Sequence, residues 1–418
     1  MTNQNNGQNN GPKAGFGQFN LHENLQRGID AAGFTEPRTI QVDTIPAIMR
    51  GVDVLGLAQT GTGKTAAFAL PILDGLLRNR RKASRVLILA PTRELATQIA
   101  EEIRLLSRFA RIKVAVVYGG VPIYKQTGVL RSLPEIIVGC PGRVLDQIER
   151  GALRTDQIET LVLDEADQMF DMGFLPGIKR ILRELPRERQ NLLFSATMPS
   201  AIRSLAHDIL RNPHVVELAS QAPVATIDHA LIMVGERQKR ELLEHLLGQD
   251  DCHSAIVFTR TKHRAKRLAM QLENAGHRAV GLQGNLSQAQ RDRAMKGFRS
   301  RRFNVLVATD IVARGIDVSG ISHVINYDVP NTPEAYTHRI GRTGRAEMEG
   351  TACTFVTGAD HGWLRATERM IGDPIQRRKI EGFQADTEAA PAYHSARQGR
   401  PRGGRNFNGQ RGRRRRTG

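Results

Sequence analysis

Three acidic side chains stand close together after a short apolar run in L-V-L-D-E-A-D, Leu161 to Asp167. Carboxylates at the end of a buried strand can hold a divalent cation or activate a water molecule. The same acids also suit a helix start, because a helix N-terminus carries partial positive charge and Asp is a good N-cap. This stretch alone therefore leaves a catalytic and a capping interpretation open.

A glycine-rich stretch, V-L-G-L-A-Q-T-G-T-G-K-T from Val54 to Thr65, gives these carboxylates a partner. An apolar strand runs into a loop, and a helix is predicted from Ala66. Backbone N–H groups of such a loop face phosphate oxygens, Lys64 reaches the β and γ phosphates, and the Thr65 hydroxyl can bind Mg²⁺. Ala58 replaces the first Gly of the general pattern, so the loop is a variant. The predicted nucleotide contacts are Ala58, Gln59, Thr60, Gly61, Thr62, Gly63, Lys64 and Thr65.

The acidic stretch supplies the other half of a magnesium site. In a phosphate-loop protein, a second strand that ends in Asp brings a carboxylate to the same ion, and Asp164 has that position. Glu165 can orient or deprotonate the attacking water. We therefore predict a magnesium site at Thr65, Asp164 and Glu165, whereas Asp167 lies too far along the chain for either task.

Arginine recurs every third residue in H-R-I-G-R-T-G-R, His338 to Arg345. The spacing also suits a solvated basic turn. However, the transition state of γ-phosphoryl transfer needs a cation, and a second domain can deliver arginine across a cleft. We expect closure of such a cleft to switch hydrolysis on.

The elements that must position these residues repeat twice along the chain. Short β-branched runs alternate with amphipathic stretches, which is typical of parallel sheets covered by helices on both faces. A length of 418 residues also exceeds the roughly 250–300 that one core supports. The prediction is an α/β protein with a tail over 1–18, a domain over 19–219, a linker over 220–226, a domain over 227–380 and a tail over 381–418.

Charge and cysteine content restrict the class of partner and the compartment. Lys and Arg number 60 against 42 acids, for a net charge of +18, and nine of the Arg lie between Arg397 and Gly418. This excess favours nucleic acid or an anionic membrane surface. The three cysteines lie far apart in sequence, and no apolar run approaches the roughly 18 residues of a membrane span. We expect a soluble cytoplasmic protein with reduced thiols and disordered tails.

These motifs together resemble those of the DEAD-box RNA helicases, from about Phe19 to Ile380. The resemblance implies two RecA-like domains with ATP and Mg²⁺ in the cleft between them, and single-stranded RNA bound across both domains. G-F-T-E-P-R-T-I-Q resembles the adenine-recognition motif, and A-R-G-I-D resembles the ribose contact. The further ATP contacts that the resemblance implies are Phe19, Phe34, Gln41, Gly315 and Asp317.

The resemblance also implies roles for the remaining charged residues. Glu165 positions the water, with Lys64, Arg342 and Arg345 as the cations of the catalytic set. Asp167 couples the site to the second domain. The other implied coupling residues are Ser195, Thr197, His338 and Arg339.

The implied RNA contacts follow strands of both domains. Amides, hydroxyls and guanidinium groups suit phosphates and 2′-hydroxyls, so binding is expected to be largely independent of base sequence. The first-domain contacts are Pro91, Thr92, Arg93, Gly119, Gly120, Pro141, Gly142 and Arg143. The second-domain contacts are Arg260, Gly284, Gln288, Arg291, Thr309 and Asp310. Departures from the family pattern are Cys140, Gln283 and Asn285.

The expected activity is RNA-dependent ATP hydrolysis coupled to local, non-processive unwinding of short duplexes or to remodelling of RNA–protein complexes. The subgroup that the compact core and short tails resemble is the bacterial RhlE type. A monomer is expected, with RNA-decay or ribosome-assembly proteins as partners. The alternatives are a clamp that hydrolyses ATP but unwinds little, an RNA scaffold or chaperone that acts through its basic tail, and a DNA translocase.

Overall fold

A computed structural model describes residues 15–58, 61–218, 227–313, 320–343 and 350–385. Its two sheets have seven strands each, and every strand pair is parallel. Helices cover both sheets, which confirms the predicted α/β class. No helix among the described residues is long and apolar enough to cross a membrane.

The first sheet has the strand order β3-β4-β2-β5-β6-β1-β7. Its strands are β1 Val54–Leu57, β2 Val86–Leu89, β3 Val114–Val117, β4 Ile136–Gly139, β5 Thr160–Leu163, β6 Gln190–Ser195 and β7 His214–Glu217. Its helices are α1 Glu23–Ala31, α2 Thr39–Met49, α3 Lys64–Arg78, α4 Arg93–Leu106, α5 Ile123–Leu130, α6 Pro141–Glu149, α7 Ala166–Asp171, α8 Leu175–Arg183 and α9 Ser200–Ile209.

The second sheet repeats this design with the order β10-β11-β9-β12-β13-β8-β14. Its strands are β8 Ile227–Met233, β9 Ala255–Phe258, β10 Ala279–Leu282, β11 Val305–Ala308, β12 His323–Asn326, β13 Gly350–Val356 and β14 Gln376–Arg377. Its helices are α10 Lys239–Leu247, α11 Lys262–Asn274, α12 Gln288–Arg299, α13 Asp310–Ala313, α14 Pro333–Ile340 and α15 His361–Ile371.

Side chains that alternate along each strand enter two separate cores. Ile88 and Val162 pack into the core on one face of the first sheet, whereas Leu87 and Leu161 pack into the core on the other face. Because both faces are covered, these strands read as continuous apolar runs rather than as polar–apolar alternation. The second sheet likewise lies between two cores.

The folded part extends beyond both predicted tail boundaries. A 3₁₀-helix spans Gly15–Phe19, and Phe16 is buried in the first core, so the prediction of a tail up to residue 18 is wrong over these positions. At the other end, Phe383 packs against one of the two cores of the second sheet. His245 Nε2 lies 2.9 Å from the carbonyl oxygen of Glu381. Apolar side chains therefore hold short segments that we had assigned to tails. Residues 1–14, 219–226 and 386–418 lie outside the described residues.

Candidate ATP site and nucleic-acid interface

The strand order separates the predicted contacts into two halves of one sheet edge. Carboxyl ends of parallel strands meet at the same edge, where α/β proteins bind ligands. In the first sheet, the predicted phosphate-loop and magnesium residues follow β1 and β5, whereas the predicted RNA residues follow β2, β3 and β4. In the second sheet, the predicted RNA residues follow β9, β10 and β11, which are also neighbours. The fold thus groups each set of residues that are far apart in the sequence.

The phosphate-binding loop bends directly into α3. Gly63 is the N-cap in the left-handed region with φ of 92°, and the helix begins at Lys64 rather than at the predicted Ala66. A left-handed residue next to the helix allows this sharp entry, and glycine adopts it at low cost. Lys64 is buried, and its Nζ donates to the carbonyl of Ala58 at 2.9 Å and lies 4.0 Å from Asp164 Oδ1. The lysine and the first acid therefore share one site.

Gln41 ties the predicted adenine motif to this loop. Its Oε1 accepts from the backbone N–H of Arg38 at 2.9 Å, and its Nε2 donates to the carbonyl of Gly63 at 3.1 Å. A Cβ at Gly63 would lie 2.6 Å from Gln41 Nε2, so only glycine leaves room for this approach. The side chain thus caps α2 and contacts the loop, while it also lines the adjoining cavity.

A cavity of about 640 Å³ joins the adenine motif to the acidic residues. Its walls include Phe34, Gln41, Lys64, Thr65, Asp164 and Glu165. Phe16 lines this cavity, whereas Phe19 is buried in the first core and packs against Phe16 with ring centroids 6.1 Å apart. The structure therefore does not place Phe19 where the prediction required it. The repeat of Phe in G-F-G-Q-F was the signal that could have identified Phe16.

The acidic stretch forms a sharp turn between β5 and α7. Glu165 has φ of 53° and ψ of 53°, a left-handed conformation that is costly for a residue with a side chain. Asp164 Oδ1 accepts from the backbone N–H of Glu165 at 3.0 Å. This strained turn places both carboxylates in the buried end of the cavity, and no sequence pattern had indicated it.

Asp167 contacts the end of β6 and does not line the cavity. Its Oδ2 accepts from the backbone N–H and from the hydroxyl of Thr197, both at 2.9 Å. The Ser195 hydroxyl accepts from the backbone N–H of Asp167 at 3.2 Å and donates to the Thr197 carbonyl at 2.8 Å. Asp167, Ser195 and Thr197 therefore form one hydrogen-bonded unit beside the magnesium residues.

Burial raises the pKa of both the Asp164 and the Glu165 carboxyl groups. The ammonium group of Lys64 acts against this shift in both residues, and the charge of Arg342 acts against it at Glu165. Desolvation disfavours the ionised form, so this end of the cavity gains from a bound cation. Arg342 belongs to the second domain and Glu165 to the first, so this charge acts on Glu165 from the other domain.

The arginine motif begins in the last turn of α14 and continues beyond the end of that helix. Arg339 is buried and donates to both oxygens of Asp310 at 2.5 and 2.7 Å, and also to Asn326 and to the Asp328 carbonyl. These partners all belong to the second domain, so Arg339 holds that domain's own turns together. His338 lies in the last turn of α14, and Arg342 follows as a buried residue.

The predicted RNA residues of the first sheet lie at the starts of three helices. Thr92 is the N-cap of α4 and accepts from the Leu95 N–H at 3.2 Å. A Cβ at Gly120 would overlap the Arg93 guanidinium group, so glycine permits this close approach. The remaining residues of this group lie just before α4, in the glycine turn before α5 and in the first turn of α6. They are Pro91, Gly119, Pro141, Gly142 and Arg143.

Three predicted RNA contacts, Arg93, Gln288 and Arg291, take part in side-chain pairs that join the first domain to the second. Arg291 Nε donates to Glu94 Oε1 at 2.6 Å, and both side chains are buried. Arg93 Nη1 donates to Gln288 Oε1 at 3.4 Å beside this pair. Glu94 was missed because its sequence context, an acid in the first turn of α4, is explained equally well by helix capping. Pairing between distant segments leaves no local signal.

The other second-domain residues lie at neighbouring strand ends. The Arg260 N–H donates to Asp328 Oδ2 at 2.8 Å, and Thr309 follows β11 directly. Gly284 lies between the two departures from the family pattern, where Gln283 Oε1 accepts from the Asn285 N–H at 2.6 Å. The Gln283 side chain therefore provides the hydrogen-bond acceptor for the Asn285 N–H within the loop before α12.

Cys140 follows β4 directly and is the N-cap of α6, without a side-chain capping bond. Burial raises the pKa of its thiol to about 12. It therefore acts as a small apolar residue at this position, which agrees with the expected loss of a hydroxyl hydrogen bond. Five predicted residues lie outside the described part of the chain: Gln59, Thr60, Gly315, Asp317 and Arg345.

The fold and the site define a two-domain, phosphate-loop protein with a buried acidic turn at one sheet edge. Residues 38–205 match the family model described as DEAD/DEAH box helicase, and residues 238–347 match the helicase conserved C-terminal domain. The ATP-dependent RNA helicase CshA of Listeria monocytogenes is 44% identical over 373 residues, covering 89% of this chain and 71% of the relative. CshA of Geobacillus kaustophilus is 44% identical and covers 87% and 78%.

A solved structure extends this similarity to the whole fold. Saccharomyces cerevisiae Dbp5 bound to RNA and ADP BeF3 gives a TM-score of 0.78 at 35% identity, with 88% of this chain and 96% of that chain covered. The chain belongs to the DEAD-box family of ATP-dependent RNA helicases. The prediction of the family, of its RecA-like fold and of its enzymatic class is thus confirmed.

Proposed function

We propose that the protein couples ATP hydrolysis to local, non-processive unwinding of short RNA duplexes or to the remodelling of RNA–protein complexes. The observations that carry the proposal are the buried contact of Lys64 with Asp164 in the cavity and the buried Arg291–Glu94 pair, which joins the two halves of the chain. The charge of Arg342, a residue of the second half, also acts against the raised pKa of Glu165. A cation that arrives only when two domains approach makes hydrolysis depend on closure. RNA bound across both domains would stabilise that closed form.

The residues of the cavity support specific tasks within this reaction. Gln41 would read the adenine edge, and Lys64 would hold the β and γ phosphates. Glu165 would orient the attacking water and accept its proton, while Arg342 and Arg345 would stabilise the transferred phosphoryl group. Asp167 would transmit closure through its bonds to Thr197. Phe34, Gly315 and Asp317 are proposed nucleotide contacts, and Phe16 takes the place that we had assigned to Phe19.

The donor set at the acidic turn fits Mg²⁺. Among the described residues, no group of three or more His, Cys, Asp or Glu could hold a metal ion alone. Mg²⁺ commonly uses one or two carboxylates together with water and substrate phosphates. Thr65 and Asp164, with Glu165 beside them, would hold the ion, which neutralises charge on the phosphates when bound.

We propose that single-stranded RNA lies across the neighbouring strand ends that hold the predicted RNA contacts, with little base readout. Arg93, Arg143 and Arg260 supply charge there, and the glycine turns allow the backbone to approach closely. We keep the RhlE-type subgroup as a prediction, beside relatives that carry the name CshA. A monomer, a cytoplasmic location and partners in RNA decay or ribosome assembly also stay predictions.

We propose a domain boundary between Glu217, the last residue of β7, and Ile227, the first of β8. This is the position predicted for the linker. The first domain would begin at the 3₁₀-helix of Gly15–Phe19, and the second would end after Phe383, because both segments pack on the cores.

Steady-state ATP turnover tests the proposal most simply. With Mg²⁺ present, single-stranded RNA should raise turnover at least tenfold, and duplex DNA of the same length should raise it much less. The matched control is Lys64→Ala, which should show no stimulation by either polymer because the phosphates lose their cation. Equal stimulation of the parent protein by RNA and DNA would contradict the proposed substrate class.

A further inference from the structure

A cavity of about 530 Å³ lies between α5 and the segment that follows α6, outside the residues that the family motifs include. We name it the α5–α6 groove. Tyr124 lines it and is 69% exposed, and the other polar walls include Arg131, Arg150 and Arg154. The two helices are fixed to each other because Thr127 Oγ1 donates to Gln147 Oε1 at 3.0 Å and Gln147 Nε2 donates to the Ile123 carbonyl at 3.3 Å. These hydrogen bonds hold α5 and α6 in a fixed position relative to each other beside the groove.

A second cavity of about 240 Å³ lies where strands β2, β3 and β4 begin, opposite the edge that holds the predicted RNA contacts. We name it the amino-edge groove. Its basic side chains come from the segments that precede β2 and β3, namely Arg80, Arg81, Lys82, Arg85, Arg111 and Lys113. Leu133 lines both this groove and the α5–α6 groove, so the two cavities adjoin.

The charge of the combined surface is strongly one-sided. Six basic residues line the amino-edge groove and three line the α5–α6 groove, which makes nine, against one acid, Glu135. Four of the nine have ion-pair partners: Arg81 and Arg85 with Glu159, Arg150 with Asp146, and Arg154 with Asp156. Within the described part of the chain, the other five form no ion pair. Unneutralised cations in a concave surface attract a polyanion.

We propose that these two grooves form an accessory track for the phosphate backbone of RNA that extends beyond the central site. The track adjoins the predicted RNA edge through α5, which follows the Gly119–Gly120 turn and lines the groove from Ile123 to Leu130. The inference therefore rests on the proposed function. Tyr124 offers an exposed ring on which a base can stack, which favours RNA over an acidic peptide. No other aromatic side chain among the described residues lines either groove, so one stacking position is expected.

The first test removes charge from the part of the track farthest from the central site. The variant is Lys82→Gln with Arg111→Gln and Lys113→Gln. The matched control is Lys179→Gln with Arg183→Gln and Arg187→Gln, three exposed cations elsewhere in the first domain. Two RNAs are compared: the shortest single strand that fully stimulates the ATPase, and the same strand with an unstructured extension of about 15 nucleotides at either end. A third RNA carries a hairpin in place of the extension.

For extended RNA, the groove variant should reduce the slope of log affinity against log salt by about 2, since each single-strand phosphate contact contributes about 0.7. Affinity for the shortest RNA should not change, and the control variant should behave as the parent protein with every RNA. A loss confined to the hairpin RNA would identify a duplex as the source of the phosphates. An unchanged slope with both extended RNAs would overturn the proposal.

Tyr124 provides an independent test. Tyr124→Ala should weaken binding of extended single-stranded RNA roughly tenfold because a base can no longer stack there, whereas Tyr124→Phe should retain it. If the parent protein, Tyr124→Ala and Tyr124→Phe all bound extended RNA with the same affinity, no base would stack on Tyr124 and this part of the proposal would be wrong. If the triple variant instead lost binding of a Glu-rich peptide containing Leu while binding every RNA normally, the grooves would be a protein-docking surface and the track would be refuted.

Failure of this inference can be distinguished from failure of the proposed function. All groove variants should keep full stimulation of ATP turnover by the shortest RNA, since none alters a proposed contact of the central site. Parent protein that RNA does not stimulate would contradict the proposed function. Parent protein that RNA stimulates, with no difference between short and extended RNA in the variants, would contradict the accessory track alone.

Discussion

Glu165 combines three properties that rarely occur in one residue: a buried carboxylate, a left-handed backbone conformation and a second acid next to it in the sequence. Each is costly, and strained backbone of this kind concentrates at functional sites. We expect Glu165→Gln to bind ATP and RNA normally and to lose about 100-fold or more in turnover, because the amide cannot accept a proton from water. Single-turnover hydrolysis of labelled ATP measures this. Near-normal hydrolysis would refute the role given to Glu165.

The same substitution should change stability in the absence of nucleotide and Mg²⁺. Since burial raises the pKa of Glu165, the folded protein holds this proton to higher pH than the unfolded chain does. Stability is therefore lost as the pH rises from the ordinary carboxyl range through the raised pKa. Glu165→Gln cannot ionise, so its Tm should equal that of the parent near pH 4 and exceed it at about pH 7 to 8. A Tm difference that does not change with pH would contradict this.

Residue types allowed much of the nucleotide site to be predicted, but not its backbone. Lys64 and Asp164 follow from motifs whose chemistry demands those groups, whereas the coupling role of Asp167 with Thr197 was implied only by the family resemblance. The left-handed turn at Glu165 depends on how the chain packs, and so does the position of Phe16 rather than Phe19 at the cavity. A sequence pattern records which side chains are present, whereas packing decides which of two similar rings faces the cavity.

Among the elements, the strands of both sheets were the most predictable. Runs such as V-L-I-L and A-I-V-F are short, rich in β-branched residues and buried throughout, which favours strands covered on both faces. The start of α3 was misplaced by two residues because the left-handed Gly63 permits an earlier helix than the loop pattern suggests. Contacts between elements, such as α4 with α12, could not be predicted, since they join residues almost 200 positions apart.

The Glu94–Arg291 pair between α4 and α12 gives a prediction for closure of the two domains. Removing one member of a buried pair leaves an uncompensated charge, which costs about 3–5 kcal/mol. Arg291→Gln should therefore raise the RNA concentration for half-maximal ATP turnover by tenfold or more. Adding Glu94→Gln should restore a large part of this affinity, because no charge is then left unpaired.

A double-mutant cycle with the two single variants and the double variant measures this coupling. The matched control is Arg293→Gln, an exposed residue on the same helix, which should have little effect. If Arg291 acted only by contacting RNA, the effects of the two substitutions would add and Glu94→Gln would not rescue it. Additive effects would therefore reject the ion pair as a closure contact.

At the scale of the whole molecule, half of the net charge of +18 lies in the C-terminal segment from Arg397 to Gly418. Deleting Arg397 to Gly418 removes nine Arg and no acid, so RNA affinity should fall. The salt slope should become smaller by about 0.7 for each phosphate that the deleted segment had bound. Turnover at saturating RNA should stay nearly intact. A variant with the nine Arg replaced by Lys should keep the slope, and an unchanged slope after deletion would exclude a tether.

Local unwinding is the property that joins all parts of the molecule, because it needs ATP, RNA and closure together. Each base-pair step contributes about 1.4 kcal/mol in a DNA duplex, so a protein that distorts only a few nucleotides can release a short strand but not a long one.

The decisive measurement is the ATP-dependent release of one strand from RNA duplexes of about 10 and about 30 base pairs, followed by native gel, with Glu165→Gln as the control. Our account predicts rapid release of the short strand by the parent protein in the presence of ATP, and very slow release of the long strand. Glu165→Gln should release the short strand without repeated turnover. Release that requires no ATP, or that proceeds equally fast at both lengths, would contradict it.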